Sequence, residues 1–288
     1  MKRKSRIKVA NWKWQVASFG SATHFKLRNY FPVSSMVYFC ASKLATGNWW
    51  LQFAHCILNK YMLFFFRVMF MIKLKENDVV LFQGDSITDG NRGRHSDLNH
   101  IHGHGYQYIL ASELGADNID KNIEFINRGN SGDRISDLYG RWKEDCLNLK
   151  PTVLSILIGI NDMIFNWEHQ SGSDPDRYEK IYRLLIDEVL EQNPDIFLII
   201  MEPFFGDKPE KDLDKFFKSG IGAFQEKAKK IAEDYNAVFV PLQDLFDSYR
   251  DKTDIYKLLW DGVHPTTAGH QLIARRWKEC VKEKLESR

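Results

Sequence analysis

Residues 79–84 read VVLFQG, a short apolar run that ends at Gly84. Four further apolar runs follow along the chain, at residues 125–127, 153–158, 196–201 and 237–240. Strands that are apolar along their whole length, rather than at alternate positions, are typical of a sheet covered by helices on both faces. These runs therefore predict five strands buried between two helical layers.

The segments between these runs have helical periodicity. In one of them Leu138, Trp142 and Cys146 are spaced so that they share one helix face. Strands that alternate with helices of about ten or more residues indicate βαβ units and a parallel sheet. We therefore predict an α/β protein, a three-layer α/β/α sandwich around a mostly parallel five-stranded sheet. The predicted helices cover residues 106–114, 135–147, 178–190, 216–235 and 268–285.

The first 70 residues differ from the rest of the chain in charge. They contain eleven Lys and Arg residues and no Asp or Glu, a formal charge of +11. Of the chain's 40 basic and 38 acidic residues, 29 basic and all 38 acidic ones remain for the other 218 positions, a formal charge of −9. We therefore divide the chain into a basic, acid-free leader, residues 1–70, and a domain, residues 71–288.

The leader has three open interpretations. Its longest apolar run, residues 61–72, is twelve residues long and interrupted by Arg67, whereas a membrane-spanning helix needs about 20. A signal peptide would carry its apolar run near the start and not sixty residues in. The leader is an upstream stretch read as coding, with the working protein starting at Met71, or a membrane-surface or targeting segment, or an accessory element. We favour the first and expect membrane contact only if the leader is real.

The composition, 44% hydrophobic and 27% charged, fits a globular domain large enough to bury a core. The four cysteines are too irregularly spaced for a disulfide framework or a zinc knuckle. A reducing compartment is the simpler interpretation, so we expect a cytoplasmic protein. The cysteines are Cys40, Cys56, Cys146 and Cys280.

Glycine-rich polar segments follow three of the predicted strands, and a fourth lies at the start of the last helix. In open α/β sheets, ligands bind at the carboxyl ends of the strands. Together the segments supply a Ser, a His, an Asp and several amide groups, which are the parts of an acyl-transfer site. They read GDSITDG at 84–90, NRGNSGD at 127–133, GIND at 159–162 and WDGVHP at 260–265.

Five residues in these segments are candidates for that chemistry. Ser86 is the candidate nucleophile, since a serine hydroxyl attacks once a neighbouring base accepts its proton. His264 is the candidate base, and Asp261, three residues earlier, can hold the other ring nitrogen. The backbone N–H groups of Ser86 and Gly132 and the side-chain amide of Asn161 are candidate donors to an oxyanion.

Two residues compete for these roles. Ser131 is an alternative nucleophile, although a hydrogen-bonding role in the second segment is the favoured interpretation. His270 is an alternative base, although we expect it to lie along the last helix and face the solvent or the sheet. We therefore keep Ser86 and His264 as the predicted pair.

Other polar residues near these segments have competing interpretations. Alternating histidines in a strand could bind zinc, but the interleaved glycines indicate a loop with substrate-facing or solvated histidines. Two aspartates flank candidate positions, and we expect structural hydrogen bonding of them. Three arginines could bind an anionic substrate or lie solvated in loops. These groups are His95, His100, His102 and His104; Asp85 and Asp162; and Arg92, Arg94 and Arg134.

The four segments resemble the four blocks of the SGNH, or GDSL-type, hydrolase superfamily, which centre on Ser, Gly, Asn and His. The resemblance extends over about residues 73–285 and implies a flavodoxin-like sandwich and an esterase without a metal or organic cofactor. It implies that Ser86 is the nucleophile, that His264 and Asp261 are base and orienting carboxylate, and that the other two block residues line the oxyanion hole. The block residues are Ser86, Gly132, Asn161 and His264.

A finer resemblance is to bacterial acetyl-xylooligosaccharide esterases, which implies removal of acetyl groups from short sugars inside the cell. Trp260, beside the candidate Asp261, suits such a substrate because sugar rings have apolar faces that pack on an indole. The resemblance lies in residues 141–145, 149–151, 158–162 and 260–270, which read RWKED, LKP, IGIND and WDGVHPTTAGH.

We therefore predict a serine esterase that removes small acyl groups, above all acetyl, from carbohydrate esters such as acetylated xylo-oligosaccharides. The alternatives are a lysophospholipase, thioesterase or arylesterase of the same superfamily, and a non-catalytic carbohydrate-binding protein on the same scaffold. We expect the protein to bind a small acylated carbohydrate and no nucleic acid. Whether the chain is a monomer or forms a homo-oligomer is left open by the sequence.

Overall fold

The computed structural model describes residues 71–207 and 211–287, together with four short strands before residue 25. The chain divides into two compact units, Met1–Met69 and Phe70–Arg288. Apart from those short strands, the expectations for the leader concern positions outside the described residues. The short strands form two antiparallel pairs, Lys8–Val9 with Trp12–Lys13 and Ala17–Phe19 with Ala22–His24.

The second unit contains a five-stranded sheet in which every neighbouring pair is parallel. The strands are β1 Val79–Gly84, β2 Glu124–Asn127, β3 Val153–Leu157, β4 Phe197–Met201 and β5 Val238–Val240. The strand order is β2-β1-β3-β4-β5, which is the flavodoxin-like doubly wound order. The predicted α/β class and five-stranded parallel sheet are thus confirmed.

Helices cover both faces of the sheet. They are α1 Ser86–Asp89, α2 Tyr106–Asp117, α3 Ile135–Asp145, α4 Ile160–His169, α5 Pro175–Gln192, α6 Lys211–Asp234, α7 Gln243–Asp247 and α8 Thr267–Glu286. Helix α2 packs against α8, while α5 packs against both α3 and α6. None of the helices in the described segments is both long enough and apolar enough to cross a lipid bilayer.

The central strands carry the core. Every residue of β3 and β4 is buried, and each large apolar side chain buried in this way stabilises the fold by about 1.5–3 kcal/mol. Trp277 of α8 is fully buried, and its Nε1–H donates to Ser155 Oγ at 3.0 Å. Because the indole N–H has an acceptor, the whole side chain can be buried without an unsatisfied donor. This contact joins α8 to the middle of the sheet.

The end of β1 lies close against its neighbour. Gly84 has a φ of +155°, and a Cβ there would lie 2.3 Å from the carbonyl oxygen of Leu157 and 2.5 Å from Thr88 Oγ1. Only glycine fits such a position. Because β1 ends at Gly84 and the next helix begins at Ser86, the residues after Gly84 lie at the carboxyl edge of the sheet.

Candidate active site

Ser86 is the first residue of α1, directly after β1. Asp85 caps this short helix, because its Oδ1 accepts the backbone N–H of Ile87 at 3.0 Å. The backbone N–H of Gly90 donates to the carbonyl of Ser86 at 3.1 Å and closes the single turn. These two bonds hold Ser86 at the carboxyl end of β1, with its side chain only partly buried.

The structure brings Ser86 into contact with His264, which lies 178 residues further along the chain. Ser86 Oγ is 2.8 Å from His264 Nε2, and His264 Nδ1 is 2.7 Å from Asp261 Oδ2. When Nδ1 donates its proton to the carboxylate, the lone pair of Nε2 faces the serine hydroxyl. The three side chains thus have the geometry in which an imidazole accepts a serine proton.

The Asp261 carboxylate is held by its own loop. Its Oδ1 accepts the backbone N–H groups of Val263 at 2.9 Å and of His264 at 2.7 Å. Partial burial alone would raise the pKa of Asp261, but the hydrogen bonds from the His264 ring and from these backbone groups lower that pKa well below its usual range. Asp261 is therefore ionised at neutral pH, and its carboxylate orients the ring.

Gly132 and Asn161 lie after β2 and β3, the two strands that flank β1 in the sheet. Gly132 has a φ of +86°, and a Cβ there would meet no atom within 4 Å, which leaves its backbone open to a ligand. Asn161 is in the first turn of α4 and is buried, and its Nδ2 donates to the carbonyl of Asp133 at 3.0 Å. A primary amide has a second N–H, which is the one that can serve an oxyanion.

Trp260 lies beside the His264 ring. The two rings are 6.1 Å apart between centroids with an angle of 24° between their planes. The indole is 64% exposed, an unusual state for so large an apolar side chain. The backbone N–H of Trp260 donates to the His264 carbonyl at 3.1 Å. An apolar face therefore lies in solvent next to the imidazole.

The two competing residues have structural contacts instead. Ser131 donates to Asp89 Oδ2 through its Oγ at 2.8 Å and its backbone N–H at 3.0 Å, which anchors the loop after β2. His270 lies along α8 as predicted, but its ring is buried and does not face the solvent. Its Nδ1 accepts the backbone N–H of Tyr106 at 3.1 Å. Burial, and then the nearby His104 and His264 rings, lowers the pKa of His270 to about 4.

The four histidines before α2 lie in a series of turns, so the alternation that would align them in a strand does not form. His100 Nδ1 is 2.6 Å from Asp97 Oδ2, and burial lowers the pKa of His102. In the part of the chain that the structure describes, no three His, Cys, Asp or Glu side chains are placed to hold a metal ion.

The flanking aspartates are both buried, and burial raises the pKa of each to about 7. Asp162 Oδ2 accepts the backbone N–H of Ile135 at the start of α3 at 2.9 Å. Asp85 and Asp162 thus make the structural hydrogen bonds expected of them. Each of these two carboxylates therefore holds the start of a helix at the site through a backbone N–H, and each has a raised pKa.

The loop arginines differ in their contacts. Arg94 donates to both carboxylate oxygens of Asp89, at 3.0 and 2.8 Å, and Arg134 pairs with Asp137. Arg92 donates its Nε proton to a backbone carbonyl in the loop after β2 at 2.8 Å. Two of the three arginines therefore have carboxylate partners that hold the loops around the site.

One ion pair at the carboxyl edge of the sheet was not predicted from the sequence. Arg141 Nε lies 2.7 Å from Asp133 Oδ2, and the side chains are 18% and 8% exposed. Asp133 follows Gly132 directly. Arg141 belongs to the RWKED segment noted above, but the sequence contains no signal for which carboxylate it meets, because Asp137 and Asp145 are also close along the chain.

The sequence model of the GDSL-like lipase and acylhydrolase family matches residues 82–272. This range includes Ser86, Asp261 and His264 and the loops after β2 and β3 that carry Gly132 and Asn161. The chain belongs to this family. As a family member it is a carboxylic ester hydrolase, which confirms the predicted enzyme class.

Relatives of this GDSL family member include several of known structure. The chain is 34% identical over 225 residues to an acetylxylan esterase from Geobacillus stearothermophilus, a match that covers 75% of this chain and 100% of that enzyme. A solved acetylxylan esterase from that organism superposes with a TM-score of 0.66 at 31% identity, covering 74% of this chain and 98% of the other. A solved structure of a Parabacteroides merdae protein, described as a GDSL-like lipase, superposes with a TM-score of 0.68 at 36% identity. That match covers 73% of this chain and 97% of the other.

Three further solved structures are variants of the Geobacillus enzyme that are described as catalytic mutants. In them a serine, an aspartate or a histidine is replaced by alanine. These are the residue types that meet at this GDSL site, where Ser86, Asp261 and His264 are joined by hydrogen bonds.

Proposed function

We propose that this ester hydrolase is a serine esterase that removes acetyl groups from carbohydrate esters such as acetylated xylo-oligosaccharides. The observation that carries the proposal is the hydrogen-bonded chain from Ser86 through His264 to Asp261, with distances of 2.8 and 2.7 Å. The similarity to an acetylxylan esterase supports the choice of acyl group and sugar.

Acylation begins at Ser86. Its Oγ attacks the carbonyl carbon of the acetyl ester while its proton passes to Nε2 of His264, which lies 2.8 Å away. The carbon–oxygen bond to the sugar then breaks, and the sugar oxygen takes the proton from Nε2. The acetyl group remains on Ser86, and Asp261 stabilises the ring while it is charged.

Deacylation repeats these steps with water. A water molecule attacks the acetyl carbon and gives its proton to His264 Nε2. The bond to Ser86 Oγ then breaks, the proton returns to Oγ, and acetic acid leaves. Both attacks pass through a tetrahedral oxyanion, for which the backbone N–H groups of Ser86 and Gly132 and the Asn161 amide are the donors. Each such donor is worth about 10²–10³ in rate.

Trp260 is the proposed contact for the sugar. Its indole is exposed and lies beside the His264 ring. Sugar rings present C–H groups on their faces, and these pack against an indole. The residue therefore holds the carbohydrate next to the base without contacting the acyl group.

The first test compares the two candidate serines, Ser86 and Ser131. Ser86→Ala should lower kcat/KM for para-nitrophenyl acetate by at least about 10⁴-fold, because it removes the nucleophile. Ser131→Ala is the matched control, since Ser131 bonds to Asp89 and not to His264, and we expect its activity within about tenfold of the unaltered enzyme. Full activity in Ser86→Ala would refute the assignment.

Substrate choice is tested with a series of esters. The proposal predicts acetate release from acetylated xylo-oligosaccharides and a preference for acetyl over butyryl and decanoyl aryl esters. A preference for decanoyl esters or for thioesters would favour a lysophospholipase or thioesterase instead. Absence of reaction with every ester and with a fluorophosphonate probe would favour the non-catalytic carbohydrate-binding alternative.

The proposal includes a cytoplasmic location. It is supported by the irregular cysteine spacing in the sequence, and the two cysteines that the structure describes, Cys146 and Cys280, are free thiols. Cell fractionation tests it, with the protein expected in the cytosolic fraction and not with membranes.

A further inference from the structure

Arg141 connects the two segments that carry Ser86 and Gly132. From α3, its Nε donates to Asp133 Oδ2 at 2.7 Å, while its Nη1 donates to Gln83 Oε1 at 3.0 Å. Its Nη2 donates to the carbonyl of Gly84 at 3.3 Å. A rigid guanidinium plane with several donors fixes the relative position of its acceptors. The end of β1 and the loop after β2 are therefore held by one side chain.

Asp133 passes this constraint on to Asn161. Its carboxylate accepts from Arg141 and, through Oδ1, from Asn130 Nδ2 at 2.8 Å. Its backbone carbonyl accepts one N–H of the Asn161 amide at 3.0 Å. A carboxylate bound on both oxygens cannot rotate freely, and so the carbonyl of the same residue has a fixed direction.

The geometry of a primary amide explains why this matters. Its two N–H bonds lie in one plane, so a hydrogen bond to one of them sets the direction of the other. At Asn161 that other N–H is the proposed oxyanion donor.

We propose that Arg141 is a positioning residue for the oxyanion hole, acting through Asp133 on Asn161. This role rests on the proposed function, because it concerns a donor to the oxyanion of ester hydrolysis. The hydrogen bonds of Arg141 are made to Asp133, Gln83, Gly84 and Asp145, and it acts on the oxyanion donor through one of these partners. Preplaced donors act in the transition state more than in substrate binding, so the role predicts an effect on kcat and not on KM.

The test is a double-mutant cycle with para-nitrophenyl acetate. Arg141→Gln should lower kcat by about 10- to 100-fold with KM within about twofold, since it displaces a donor without removing it. In an Asn161→Ala background the same substitution should lower kcat by less than about threefold, because the donor that it positions is already gone. Thermal unfolding of each variant reports the folded fraction.

Arg128→Gln is the matched control. Arg128 pairs with Asp145 at 3.3 Å, a residue that Arg141 also contacts, so this variant removes a neighbouring guanidinium and leaves the Asp133 contact in place. We expect its kcat to remain unchanged. If Arg141→Gln does not fold, Arg141→Lys carries the test, because lysine keeps the charge but lacks the planar fork. The same comparison between the two backgrounds then applies.

Three results would overturn the role of Arg141 alone. These are an unchanged kcat in Arg141→Gln, an increase in KM without a loss of kcat, or an equal fold loss in both backgrounds, which is the signature of a lower folded fraction. An unaltered enzyme that hydrolyses no ester would overturn the proposed function itself, together with this role. The unaltered enzyme is therefore measured first.

Discussion

Trp260 is the residue on which the proposed preference for a carbohydrate ester depends. Its ring lies nearly parallel to that of His264, at an angle of 24° between the planes. An exposed indole presents apolar surface to water, and removal of that surface from water is favourable. A ligand that covers the ring therefore gains binding free energy. The position beside the base makes a sugar ring the ligand that fits the proposed reaction.

Replacement of this indole separates sugar binding from chemistry. Trp260→Ala should raise KM for acetylated xylo-oligosaccharides about tenfold, since loss of an aromatic contact of this size costs on the order of 1 kcal/mol or more. Hydrolysis of para-nitrophenyl acetate, which carries no sugar, should change far less. Tyr139→Ala, at another exposed aromatic residue, is the control. Equal effects on both substrates would contradict a sugar-binding role.

His270 acts at the scale of the helices. The N-terminal residue of a helix has an N–H without a partner in its own helix, and Gly105, the N-cap of α2, makes no side-chain capping bond. His270 on α8 accepts the N–H of Tyr106 through Nδ1. The ring must be neutral to accept there, and burial lowers the pKa of His270 to about 4. One imidazole thereby joins α2 to α8.

This contact predicts a pH-dependent stability. A histidine pKa that is lower in the folded state means that the His270 contribution is complete above pH of about 6.5 and is lost as the pH falls towards 4. His270→Asn keeps an acceptor but does not titrate. The free energy of unfolding of the unaltered protein, relative to that of His270→Asn, should therefore fall by on the order of 2 kcal/mol between pH 7 and 4.5. Urea unfolding at each pH measures it.

The control for this experiment is Ala274→Gly on the same helix. Glycine destabilises a helix by about 1 kcal/mol through the backbone and introduces no titrating group. Its stability difference from the unaltered protein should therefore stay constant over the same pH range. A constant difference for His270→Asn as well would show that His270 is not held neutral by its contact with Tyr106.

The whole molecule shows which features the sequence alone can predict. The central strands β3 and β4 were predictable because continuous apolar runs mark strands buried on both faces. The edge strand β2 was expected to be buried as well, but only its last residue is, because an edge strand has a neighbour on one side only. The contact between Asp261 and His264 was predictable because the two lie three residues apart. Helix α4 was missed, since its start at Gly159 and Asn161 has the composition of a turn. In fact these residues begin a helix that follows β3 directly.

Long-range polar contacts were not predictable in the same way. His270 was expected to face the solvent or the sheet, yet its partner is the N–H of Tyr106, 164 residues earlier. Arg141 has four acidic residues within eight positions of it in the sequence, and only the fold selects Asp133 as the partner of its Nε. A side chain's partner in such contacts depends on how loops meet in space, which no local pattern records.

The division of the chain predicts the behaviour of a shortened protein. The family match and every site residue lie within Phe70–Arg288, a compact unit in its own right. A chain that starts at Met71 should therefore unfold in one cooperative transition and keep esterase activity within about twofold of the full chain. Loss of activity or aggregation of the shortened chain would show that the leader contributes to the folded enzyme.

The central claim is that Ser86 is the side chain activated by His264. The most direct measurement is covalent labelling with a fluorophosphonate, followed by mass spectrometry of the peptides, because only an activated serine reacts at a useful rate. The account predicts one phosphonyl group per chain, located on Ser86, and no labelling of His264→Ala. A label on Ser131, or none on a folded and active protein, would contradict it.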